Sequence, residues 1–186
     1  MTGSPLETAQ RALEILRALK VRHAVVGSVA SSLQGVPRAT VDVDLLVHLE
    51  AQHIDALVEA CKSEFYISDI AAREAVARNS MFNLVHLATG YKVDIHLAGD
   101  EPYEQTTLAR ARLFPLSEGG SLLVATPEDL VLSKLRWYRL GGEVSERQWN
   151  DVQGVLRLNT NLDHDYLSRW AEQLEILDLL NRATAT

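Results

Sequence analysis

A chain of 186 residues, 47% hydrophobic and 23% charged, buries a core of its own and is too apolar to be a disordered tail. Its formal net charge of -7 excludes a surface that is a phosphate-binding footprint throughout, while leaving room for a local basic patch. The single cysteine, Cys61, excludes an internal disulfide and a cysteine-rich zinc site; with no signal-peptide pattern and no run of about 18 apolar residues, the expectation is a soluble cytoplasmic protein with no membrane partner.

LETAQRALEILRALK carries apolar residues at helical spacing and predicts an amphipathic helix, followed by HAVV, a short buried strand running into Gly27 and Ser28. VASSLQG reads as a short helix ending near Gly35 and Pro37. TVDVDLLVHL is β-branched and alternating, hence a strand, and AQHIDALVEACKSE is a helix packed back on it. DIAAREAVARNS is expected to be helical, and MFNLVHLATGYKVDIHLAG to form two strands joined at Thr89 and Gly90. Residues 101 to 111 read as a helix, and ARLFPLSEGGSLLVA as a strand, a Gly-Gly turn and a strand. Thr126 is an N-cap candidate before Pro127 and two first-turn acids, predicting a helix that stops at Gly141-Gly142. Two further helices are expected at about 145 to 158 and 164 to 182, the second capped by Asp163. The fold class is therefore α/β (α+β): a mixed sheet flanked by helices over residues 1–125, with C-terminal helices over 126–186 packed on it as one structural unit.

The segment RATVDVD raises the functional question. Strand alternation places Asp42 and Asp44 on one face and Val41, Val43, Leu45 and Val47 on the other. Two carboxylates about 5 to 6 Å apart repel by roughly 3 kcal/mol at an effective dielectric near 20. A cation between them, or protonation of one, relieves that cost. YKVDIHL puts Lys92, Asp94 and His96 on one face, so Asp94 shares the cleft of the other two acids if the strands are neighbours. Three converging carboxylates suit magnesium and two-metal phosphoryl chemistry. Upstream, Gly27 and Ser28 leave a strand and open a helix, where exposed amides, the positive helix end and the Ser28 hydroxyl can hold a phosphate.

Other residues receive plainer readings. His86 and His96 have no matching ligand pair for zinc and read as cleft or core histidines. Trp137, Tyr138, Trp149 and Trp170 are expected to pack in the core or between helices, and Arg73, Arg78, Arg110 and Arg112 to lie on a solvated face. No Ser-His-Asp order, Walker motif or dinucleotide Gly-x-Gly-x-x-Gly occurs.

Taken together, VVGSVASSLQGVPRATVDVD resembles the DNA polymerase β-like nucleotidyltransferase superfamily: a hydrophobic strand, Gly-Ser, a short helix and an Asp-x-Asp strand, with residues 29 to 41 between the two motifs. GVPRATVDVD is similar to the form found in bacterial minimal nucleotidyltransferases and abortive-infection toxins, which makes Arg38 a candidate triphosphate ligand. VDIHL resembles the third-carboxylate strand and carries that role to Asp94. TPEDLVLSKL and ERQWNDV resemble the group's helical half, implying Lys134 as a phosphate partner and Asp151 as a structural or electrostatic one. Where toxin relatives carry a small residue three positions after the lysine and a second acid three after the aspartate, this chain has Trp137 and Gly154.

The resemblance implies transfer of an NMP group from an NTP such as ATP to a hydroxyl-bearing acceptor. Mg2+ (or Mn2+) would be held by Asp42, Asp44 and Asp94, and the phosphates by Gly27, Ser28, Arg38 and Lys134. The acceptor, whether RNA such as a tRNA end, protein or small molecule, stays open, as does a protein partner or homo-oligomer. A catalytically weak nucleotide-binding regulator, such as a toxin-antitoxin component, is the alternative.

Overall fold

The computed structural model describes residues 4–116 and 120–185, so Gly119 of the expected Gly-Gly turn lies outside the described residues. The chain divides into two compact units: Met1–Val26 with Thr40–Val124, and Gly27–Ala39 with Ala125–Thr186.

Among the described residues the first unit has seven strands: β1 (Arg22–Val26), β2 (Val43–His48), β3 (Phe65–Ile67), β4 (Met81–His86), β5 (Lys92–Leu97), β6 (Arg112–Pro115) and β7 (Ser121–Val124). Their order is β3-β4-β5-β2-β1-β7-β6. The sheet is mixed, because β2 runs parallel to β5 and β1 parallel to β7 while the remaining pairs are antiparallel. β4 and β5 form the expected hairpin, turning at Gly90, whose φ of 73° is a conformation that favours glycine. β3 escapes sequence reading because it is three residues long with one buried side chain, Phe65.

Helix α1 (Pro5–Ala18) forms for reasons visible in the chain. Ser4 and Glu7 make a reciprocal capping box, Pro5 opens the helix, and Ala9, Ala12, Leu13 and Leu16 recur on one buried stripe. It contacts β1, β2, β5 and α3 (Ile54–Cys61), and α3 buries Ile54, Leu57 and Cys61. Along β2, Val43, Leu45 and Val47 are fully buried on one face. On the other face, Leu46 joins Ala24, Ala98 and Leu108, the last from α5 (Pro102–Arg110). One face of the strand is thus apolar throughout, and the other carries Asp44, Leu46 and His48 in turn.

The second unit contains α2 (Gly27–Gln34), α6 (Pro127–Leu140), α7 (Glu146–Leu158), α8 (His164–Gln173) and α9 (Leu177–Thr184). α2 packs on α6 and α7. A Cβ on Gly35 would stand 2.7 Å from the Ser31 carbonyl oxygen and 3.1 Å from Val155 N, and one on Gly154 would stand 3.1 Å from Val36 N. Backbone passes backbone here, so a side chain at position 154 requires Val36 to give by a few tenths of an ångström.

Two expectations are corrected. The helix read over 164 to 182 is two, because α8 closes with the Ile176 N–H on the Ala171 carbonyl (2.8 Å) and the Glu175 N–H on that of Glu172 (3.1 Å). Glu175 sits there at φ 58°, a left-handed cap in which glycine is the usual signal, so the break carried no sequence mark. Trp137, expected to pack, is 55% exposed, since the buried stripe of α6 passes through Leu130, Val131, Lys134, Leu135 and Tyr138 instead.

Candidate functional site

The first unit gathers the acids. β2 and β5 pair in parallel with Asp44 directly opposite Asp94, and β4 brings Asn83 opposite Asp94 from the other side. Asn83, Asp94 and Asp44 therefore form one row across three adjacent strands. Asn83 Nδ2 donates to Asp94 Oδ1 at 2.7 Å. His96, two residues beyond Asp94 and so on the same face, places Nε2 3.2 Å from Asp44 Oδ1. The side chains of Asp44 and His96 remain about a quarter exposed, at 26% and 28%.

Asp42 departs from expectation. β2 begins at Val43, leaving Asp42 exposed ahead of the strand with its carbonyl accepting from the Thr40 hydroxyl (3.0 Å); Val41, read as inward-facing, is 62% exposed. Pairing with β1 ends at Asp44, opposite Val26, and pairing with β5 at Val43, opposite Val93, so neither ladder reaches Asp42 or Val41.

The donor set suits a hard cation in kind: the Asp44 and Asp94 carboxylates are oxygen ligands on neighbouring strands. Among the described residues no group of three or more His, Cys, Asp and Glu side chains is drawn together as a metal-holding cluster.

The second unit gathers the cations. α2 begins at Gly27, the residue after Val26, with φ 61°. The Ser28 hydroxyl accepts from Arg38 Nη2 at 2.5 Å. The Arg38 guanidinium grips Asp151 with both arms, Nε to Oδ1 at 2.9 Å and Nη2 to Oδ2 at 3.0 Å. Buried Lys134 donates from Nζ to Asp151 Oδ2 at 2.7 Å. Two of the four residues read from sequence as phosphate ligands, Arg38 and Lys134, thus meet on one carboxylate, and a third, Ser28, is hydrogen-bonded to Arg38. Burial alone would push the Asp151 carboxyl up, but the hydrogen bonds and charges of Arg38 and Lys134 together hold it below the ordinary carboxylate value.

Sequence reasoning missed Asn83 and assigned His96 no partner. Asn83 is one polar residue between Phe82 and Leu84 on an alternating strand, and only the β4–β5 register shows that it faces Asp94. A cavity of about 520 Å³ lies elsewhere in the first unit, lined by His48, Glu50, Asn79, Gly99 and Glu101 among others; none of the residues read from sequence as site residues lines it.

No protein-family model matches the chain, and no curated protein matches it in sequence. Solved structures do. An antigenic nucleotidyltransferase-like protein from Paracoccidioides brasiliensis is 19% identical, covering 95% of this chain and 90% of its own, with a TM-score of 0.50. The lincosamide antibiotic adenylyltransferase LnuA, determined with lincomycin bound, is 13% identical, covering 82% of this chain and 97% of its own, also at 0.50. The chain therefore has a nucleotidyltransferase fold.

Proposed function

We propose that this protein is a metal-dependent nucleotidyltransferase that moves an NMP group from an NTP to a hydroxyl-bearing acceptor. The observation that supports this most is the placement of Asp44 and Asp94 as register partners on adjacent strands of a nucleotidyltransferase fold. Two acids side by side are a liability to the bare protein, and as oxygen donors they would hold a divalent cation, which would supply the compensating charge.

In this reading an acceptor hydroxyl attacks the α-phosphorus of the NTP; the new O–P bond forms as the bond to pyrophosphate breaks. Asp94 orients the hydroxyl and takes its proton. The Gly27 amide, Ser28, Arg38 and Lys134 neutralise the phosphates and the departing pyrophosphate, with Asp151 keeping both cations in place beforehand. Magnesium, or manganese, would be held by Asp42, Asp44 and Asp94 and would supply charge neutralisation along the triphosphate. The fold's relation to an enzyme described as an antibiotic adenylyltransferase makes a small hydroxylated molecule one acceptor to try beside RNA and protein.

The test is incubation with labelled NTPs, magnesium and a cell extract, scored by pyrophosphate release and a labelled acceptor. Asp44→Asn is expected to abolish both, while the metal-free variant melts at the wild-type temperature or above it, gaining on the order of 1 kcal/mol from lost repulsion. Magnesium with NTP should raise the melting temperature of wild type and raise that of the variant much less. Nucleotide binding without pyrophosphate release would identify a regulator instead. A destabilised variant beside an unresponsive wild type would remove the catalytic reading.

A further inference from the structure

The row Asn83, Asp94, Asp44 has a feature that nucleotidyl transfer alone does not require: each central acid is held by a hydrogen-bond donor on a different side chain of the same sheet face. Asn83 comes from β4, directly across from Asp94, and His96 from β5, diagonally across from Asp44. An ionised carboxylate can only accept, so the imidazole must offer Nε2–H to Asp44. One oxygen of each acid is thereby engaged, and the repulsion that would rotate two adjacent carboxylates away from each other is opposed by donors fixed on strands.

We propose that Asn83 and His96 are positioning residues, holding Asp94 and Asp44 in the orientation in which their carboxylates meet a divalent cation. The proposal rests on the nucleotidyltransferase reading and adds the pair of side chains that prepares its acids. Partners of this kind fix the rotation of metal-ligating carboxylates, and their loss characteristically weakens metal binding about 10- to 100-fold. Neither residue is deep in the core: Asn83 is exposed on β4, and His96 keeps 28% of its side chain accessible. Truncating them therefore removes a hydrogen bond without opening a cavity in the apolar layer.

The probe is Mn2+ alone, titrated against the full chain and followed by loss of the free-ion electron paramagnetic resonance signal. Wild type is expected to bind and Asp44→Asn to lose binding. Asn83→Ala and His96→Ala should each weaken binding about tenfold. His96→Gln should recover most of the loss, because its side-chain amide can present an N–H toward Asp44. Metal-free melting temperatures should stay close to wild type for all four variants. If Asn83→Ala and His96→Ala bind Mn2+ as wild type does while Asp44→Asn does not, the positioning role is overturned and the carboxylate site stands. If wild type binds no Mn2+, the reading of the acids falls and the proposal with it. Should His96→Ala fail to fold, Asn83→Ala decides the matter by itself.

Discussion

In the second unit Asp151 bears on two cations at once. It accepts from Arg38 and Lys134, and its side chain and that of Lys134 are only 6% and 9% exposed. Asp151→Ala leaves Lys134 buried without its counter-charge and is expected to cost about 3 kcal/mol, read as a lower urea midpoint at neutral pH. Lys134→Met should cost less, since the Arg38 fork still satisfies the carboxylate. The pH dependence has a definite sign. A carboxyl held below its ordinary 3.8 gives stability that is complete above that value and is lost as pH falls through the lower folded value. The gap between wild type and Asp151→Asn should therefore be constant through the neutral range and close only in strongly acid solution. A gap that widens on acidification would contradict this arrangement.

Element ends explain most of what the sequence could and could not reveal. α1 announced itself through apolar residues at helical spacing, and α6 through Thr126, whose side chain accepts from a first-turn amide, followed by Pro127, which has no amide to satisfy. α6 also stops where glycine signals it, with Gly142 at φ 75°. The ends of α1 and α8 use the same left-handed cap without glycine, at Lys20 (φ 57°) and Glu175 (φ 58°), so their geometry had no compositional trace. Glu175→Gly relieves a left-handed residue that costs roughly 1 to 2 kcal/mol, against the added freedom of the unfolded chain. The expected net gain is on the order of 0.5 kcal/mol, seen as a higher urea midpoint with unchanged slope; a lower midpoint would mean that the cap is not strained. The same logic applies to the site. Asp44, Asp94 and Ser28 could be named as candidates because strand alternation and motif spacing are local, whereas Arg38 and Lys134 were named from the family resemblance. The partners of Asn83 and His96 appear only in the strand registers, across the β4–β5 hairpin for the first and between β2 and β5 for the second, and Asp42 lies just before the first paired residue, Val43.

Across the whole chain, the two units are interleaved rather than sequential. Residues 27 to 39 belong with the C-terminal helices, and the chain then returns to the sheet at Thr40. The buried residues of α2, Val29, Ala30 and Ser31, have α6 and α7 as packing neighbours, and both of those helices begin after residue 125. A fragment of residues 1 to 125 is therefore expected to melt less cooperatively than the full chain and to bind hydrophobic dyes, measured by near-ultraviolet circular dichroism and dye fluorescence. A sharp transition matching the full chain would show that α2 needs no helical partners.

β2 is the fourth of seven strands, with β5 on one side and β1 on the other. Its backbone amides are shared between the two ladders, so labelling the whole strand takes the opening of both, and in native-state exchange its amides should be among the last to label, opening with the free energy of global unfolding rather than of local fraying. Asp44 sits on that backbone and Asp94 on the neighbouring strand. The carboxylates would then persist in their places through every partial opening that frees the sheet edges β3 and β6, and disappear only when the molecule as a whole unfolds.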